Sequence, residues 1–196
     1  MKEHVMKRPA ATRTIVAAAL ALAFAVLPSA RAGALTWDSY AEAGAGLSLA
    51  GGVARPVLAL DSGIMLGGFE FGTYLAALPL EFGSPDLVQA AAVYYGGTIG
   101  KAFGAEGAVR PFGRIGLGGA VRERADSEGG YDGDGADRYF SVSFVAGAEI
   151  PLGGRWSLRP WAACRLSPDG KDYEGRTLSG PDFGLAVRAT WETTIR

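Results

Sequence analysis

Eight charged residues, Glu42, Glu70, Arg110, Arg114, Glu149, Arg159, Arg188 and Glu192, lie in segments where polar and apolar side chains alternate. Period two is the signature of a strand, because successive side chains point to opposite faces. All eight therefore fall on the polar side of their runs. Carboxylates and guanidiniums gathered in this way suit three kinds of chemistry. Two acids within reach of one another could act as the pair of a hydrolase. A row of charges could form a gate or a proton-linked path. A packed ionic core needs only that each buried charge has a partner, since desolvation is costly. The third reading asks least of the sequence, because few inward acids could meet.

Other chemistries lack their residues. The only histidine is His4 and the only cysteine is Cys164. Histidine is the usual general base of hydrolytic and acyl-transfer sites, so no enzyme of that kind is expected. One cysteine and one histidine do not make a zinc site. The stretch Asp132-Gly-Asp-Gly-Ala-Asp137 clusters hard oxygen ligands, but it lacks the later bidentate glutamate of a calcium loop and reads better as a solvated loop tip. No cofactor and no metal is expected. Cys164 lies in the apolar phase of its run and reads as a small hydrophobe.

The alternation is clearest in Arg110-Pro-Phe-Gly-Arg-Ile-Gly-Leu-Gly-Gly-Ala-Val-Arg-Glu-Arg124, where the arginines stand on even numbers and Ile115, Leu117 and Val121 on odd ones. A soluble half-buried strand would hide the apolar face. A membrane barrel does the reverse, with apolar side chains outward and charge inward.

The front of the chain bears on that choice. Lys2, Lys7, Arg8 and Arg13 precede the uninterrupted apolar run Ile15–Leu27, and Ala30-Arg-Ala32 follows as a small-x-small site. This is the pattern of a cleaved secretory signal peptide over 1–32, and the run is too short to span a bilayer as a helix. The leader holds five of the 19 basic residues and one of the 20 acids, which leaves 33–196 at net −5. That balance argues against a nucleic-acid partner. Beyond residue 32 no stretch of 18 apolar residues occurs, so no helix is expected to cross a membrane.

Eight runs fit strands: 38–50, 51–60, 64–77, 88–102, 108–123, 138–151, 156–167 and 183–195. Short turns are expected at 61–63, 103–107 and 152–155, and longer connections at 79–85, 124–137 and 168–181. Numbered up and down, the short turns all fall at one end and the long connections at the other, as in a single-chain outer-membrane barrel. The polar faces are mostly Gly, Ala, Ser and Thr, which suits the crowded lumen of eight strands. Only two lysines, Lys101 and Lys171, follow the leader, far fewer than a soluble exterior would show. Trp37, Tyr40, Tyr139, Phe140, Trp156, Phe183 and Trp191 lie near strand ends, where interfacial girdles form. Glu42, Arg110, Arg114, Glu149, Arg159 and Glu192 then sit near the periplasmic strand ends, with Glu70 and Arg188 nearer the middle.

The stretches Arg110-Pro-Phe-Gly-Arg-Ile-Gly-Leu-Gly-Gly119, Ala146-Gly-Ala-Glu-Ile150, Gly154-Arg-Trp-Ser-Leu-Arg159 and Phe183-Gly-Leu-Ala-Val187 resemble the small eight-stranded outer-membrane barrels of the OmpA/OmpX/OmpW type. The likeness covers 108–196, about half of the chain after the leader. Members often end on an aromatic residue read by the insertion machinery, whereas this sequence ends Thr194-Ile195-Arg196, with Trp191 its last aromatic.

The expectation is an all-β, eight-stranded antiparallel up-and-down transmembrane barrel, residues 33–196, behind a signal peptide, 1–32. It is a non-enzymatic outer-membrane protein, structural and surface-exposed. Its partners are outer-membrane lipids, the barrel-insertion machinery and a host or matrix ligand met through loops 124–137 and 168–181. Two alternatives stay open: a narrow channel for small solutes or small hydrophobic molecules, and a soluble periplasmic or secreted β-barrel binder.

Overall fold

The computed structural model describes residues 35–82, 88–124 and 137–195. The leader 1–32, part of the connection 79–85, and the body of loop 124–137 with Asp132 and Asp134 lie outside the described residues. The barrel body is Thr36–Thr193.

Eight strands run in chain order: β1 Leu35–Ser48, β2 Arg55–Leu66, β3 Phe69–Phe82, β4 Val88–Ala102, β5 Arg110–Arg124, β6 Asp137–Gly153, β7 Trp156–Leu166 and β8 Gly180–Ile195. Each pairs antiparallel with the next and the sheet closes into a barrel. At the closing seam the Leu49 N–H donates to the Pro181 carbonyl at 2.8 Å, and the hydroxyls of Ser39 and Thr193 meet at 2.8 Å. A closed sheet leaves no edge strand, and only such a sheet satisfies its backbone in lipid. The strands are 11 to 17 residues long, beyond the roughly 9–11 that a tilted strand needs to cross a bilayer.

The side chains sort by phase. Leu58, Leu117 and Phe140 are 60, 57 and 61% exposed, whereas Arg159 and Arg188 are 0 and 1% exposed. Phe144, Leu60, Leu75, Leu185 and Val187 are likewise turned out. A soluble barrel would hide these residues and show its arginines. Here the outer face is the apolar one, as a lipid-facing surface requires. The exposed Cys164 lies on it.

Three expectations need correction. Asp61-Ser62-Gly63 is not a turn: it continues β2, which begins at Arg55 after a single 3-10 turn over Ala50–Gly52. The reversal comes at Gly67-Gly68, whose φ angles of +58° and +81° are those of a two-residue type I′ hairpin. Gly63 is glycine because of crowding: a Cβ there would lie 2.1 Å from the Phe71 carbonyl oxygen. The shifted turn also moves Glu70 from the middle of its strand to the second residue of β3. Finally, Tyr40 is not a girdle residue. It shares the phase of Glu42 and is 1% exposed, inside the lumen.

The interior has two storeys. Toward the external loops lies an apolar cluster of Ala50, Val57, Leu78, Ala92, Tyr94 and Leu178. Toward the periplasmic turns lies charge.

Candidate functional site in the barrel lumen

Glycine on the lumen face lets large side chains enter. The Tyr40 ring lies over Gly72, where a Cβ would sit 2.3 Å from its hydroxyl oxygen. Phe112 lies against Gly147 and Trp161 against Gly184 in the same way. These aromatic faces hold the guanidiniums: Arg159 stands 3.8 Å from the Phe112 ring centre and Arg188 4.0 Å from that of Tyr40, within the range of cation–π attraction.

Two carboxylates sit at the centre of the charged storey. Glu70 accepts from Arg188 at 2.6 and 2.8 Å, from Arg159 at 2.9 Å and from Arg114 at 3.3 Å. Glu42 accepts from Arg159 at 2.8 Å, Arg188 at 3.0 Å and Arg114 at 3.2 Å. Asp61 binds Arg114 at 2.5 Å. Glu149 binds Arg110 at 2.7 Å and stands 3.2 Å from Nε of Arg159. Four guanidiniums thus face four carboxylates, and the cluster is neutral when all are ionised. Neutrality and several hydrogen bonds per carboxylate are what allow charges to persist away from water.

The cluster gathers seven of the eight residues singled out in the sequence. Glu192 is exposed and stands apart. It lies four residues past Arg188 on β8, about 13 Å along the strand, at the periplasmic rim. Asp61, whose neighbours suggest a turn, joins as the eighth member. Its signal is its even spacing from Arg55, Val57 and Ala59, which puts all four on one face.

A second set of arginines guards the external mouth. Loop 167–179 folds over the opening instead of standing away from it. Leu178 is fully buried, and its carbonyl accepts from the Tyr94 hydroxyl at 3.0 Å. Asp172 is 3% exposed. Its Oδ1 accepts from the amides of Glu174 and Arg176 at 3.0 and 2.8 Å, while its Oδ2 accepts from Arg55 at 2.6 Å. Arg122 donates to the carbonyls of Lys171 and Asp172 at 2.8 and 2.9 Å and also pairs with Asp137. Arg165 pairs with Asp182 at 2.8 Å and stacks on Tyr94 at 3.9 Å. Sequence reasoning misses this set, because alternation marks Arg165 only as polar-phase and says nothing of the path of 168–181. Beside the cluster lies a cavity of about 70 Å³, lined by Asp61, Tyr74, Thr98, Arg114, Trp161 and Arg165 among others.

A lumen filled from both ends, inside an apolar exterior, belongs to a known architecture. The fold is that of the small outer-membrane barrels. Neisserial surface protein A superposes with a TM-score of 0.57 at 13% identity, over 80% of this chain and 98% of that one. Ail, the attachment invasion locus protein of Yersinia pestis, in complex with the heparin analogue sucrose octasulfate, gives 0.47 at 14% identity, over 81% of this chain and 99% of that one. A major outer membrane protein from Thermus thermophilus gives 0.40 at 13%, over 78% and 99%. No protein-family model matches the chain, and no curated protein is similar to it in sequence. The chain is an eight-stranded antiparallel β-barrel with the fold of the small outer-membrane barrels.

The described residues hold no group of three or more His, Cys, Asp and Glu side chains able to bind a metal. The four carboxylates of the charged storey are each held by at least one arginine, an arrangement of mutual neutralisation.

Proposed function

We propose that this barrel is a non-enzymatic structural and surface-exposed protein of the outer membrane, with a lumen that is packed and non-conducting. One observation carries the reading: Arg159 and Arg188, 0 and 1% exposed, cross the lumen to Glu42 and Glu70. The cluster joins β3 to β7 and β8 across the interior, and eight strands leave little room beside it. Partner binding falls to the external loops, where recognition is carried by loop surfaces on a rigid scaffold. Loop 124–137, with its acidic Asp132-Gly-Asp-Gly-Ala-Asp137 stretch, is the segment offered to a host or matrix ligand. Loop 168–181 offers only its outer half, since Asp172 and Leu178 are turned inward. Lipid meets the outward Leu and Phe residues, and the insertion machinery meets the unassembled chain.

The test of the packed lumen is planar-bilayer recording. The purified barrel should insert without stepwise openings; reproducible openings from wild-type protein would restore the narrow channel. Exposure of loop 124–137 is tested by labelling a cysteine placed there, in a Cys164→Ala background, with an impermeant maleimide on intact cells. Labelling only after the envelope is broken would reverse the orientation.

A further inference from the structure

Among the described residues, four guanidinium N–H groups at the external mouth have no acceptor, and both carboxylate oxygens of Asp182 there lack a hydrogen-bond donor. Arg55 uses Nη2 on Asp172, and its Nη1 has no acceptor. Arg122 spends Nη1 on two lid carbonyls and Nη2 on Asp137, and its Nε has none. Arg165 forms an ion pair through Nη2 with Asp182 at 2.8 Å, while its Nε and Nη1 have no acceptor. Arg55 and Arg165 are only 7 and 6% exposed. Buried N–H groups left without an acceptor are unfavourable, and guanidinium forks match carboxylate and phosphate oxygens in pairs.

The acceptors that do serve these arginines differ in kind. Asp182 and Asp137 belong to β8 and β6, whereas Asp172 rides on the lid. When the lid lifts, Arg55 loses its carboxylate and Arg122 loses both carbonyls. Among the described residues, the three arginines of the open mouth then face only Asp137 and Asp182, with Arg55 and Arg122 turned to the vacated position and Arg165 beside Tyr94 nearby.

We propose that the mouth of the barrel is an oxyanion site for a soluble ligand bearing a carboxylate or phosphate group, filled in this closed form by the lid's own Asp172. The three guanidiniums face the lumen and not the lipid, so the ligand arrives from the external solution. Asp172 acts as an internal competitor, and the apparent affinity for a free anion is reduced by the fraction of time the lid is closed.

Asp172→Asn is the informative variant. The retained oxygen can still accept from the amides of Glu174 and Arg176 that shape the loop, and only the charge facing Arg55 is lost. Inorganic phosphate and citrate are titrated calorimetrically into the full chain in neutral detergent micelles, with folding checked by heat-modifiable migration. D172N should bind at least one probe about tenfold more tightly than wild type, because the competing carboxylate is gone. Adding Arg55→Gln should abolish the gain. An affinity unchanged in D172N, or a gain that survives R55Q, overturns the site. If D172N does not fold, Arg165→Gln alone decides, since Arg165 pairs with Asp182 of β8 and not with the lid. It should weaken the wild-type affinity for the better probe about tenfold, and an unchanged affinity overturns the proposal. Channel recordings read none of these quantities, so this site and the packed lumen stand or fall separately.

Discussion

At the residue scale, the central fact is that Glu70 is held by three arginines at once. Removing its charge leaves the surrounding guanidiniums in excess in a buried place. Glu70→Gln should lower the unfolding free energy by about 3–5 kcal/mol, as removal of one partner does in buried ion pairs. The reading is a urea titration of the refolded barrel in micelles. Glu192→Gln, at the exposed rim, should stay within about 0.5 kcal/mol of wild type. Cys164 gives a second check. It stands outward among lipid-facing side chains, so in proteoliposomes it should react with a membrane-soluble maleimide and resist a charged, water-soluble one. Equal reaction with both would place it in water. Seven of the cluster's eight charges could be picked out from the sequence because side-chain phase alone separates the faces of a strand; Asp61, which reads as part of a turn, could not. Nor could their partners. Which arginine meets which glutamate depends on the stagger between strands that are distant in the chain, as when Glu42 of β1 meets Arg188 of β8.

At the element scale, local composition misled where crowding set the residue type. Asp61-Ser62-Gly63 has the make-up of a turn, yet the chain continues straight through it, and Gly67-Gly68 makes the reversal. Glycine serves both places for opposite reasons: positive φ at the turn, and the absence of a Cβ within the strand. The second use predicts that Gly72→Ala is costly although β3 is extended there. Its Cβ would meet the Tyr40 hydroxyl at 2.3 Å and the Ser62 carbonyl oxygen at 2.6 Å. A loss of about 1–3 kcal/mol is expected for overpacking of this kind, in the same urea titration. Tyr40→Phe in the G72A background should recover part of it. Strand number, order and which face meets lipid were legible because alternation repeats in all eight runs. The inward fold of loop 168–181 was not, since a loop's path depends on anchors such as Arg55 and Tyr94 that lie more than 80 residues earlier.

At the scale of the molecule, the barrel is closed below by ions and above by its own lid. Shortening the lid alone should not open a pore, because the ionic storey still fills the periplasmic half. A variant with residues 171–177 replaced by two glycines should remain silent in planar bilayers. It should conduct only when Arg159→Ala is added.

The way the ionic storey is shared along the chain has a consequence for assembly. Its members from β1, β2 and β3 are all acids, Glu42, Asp61 and Glu70; β5, β7 and β8 supply only arginines, with Glu149 of β6 the one acid among them. The half of the polypeptide made first therefore carries three unmatched negative charges, and the half made last an equal positive excess. Neither can be sealed inside a bilayer alone without a large electrostatic penalty. The final strand, through Arg188, brings the last neutralising charge and the closing seam together.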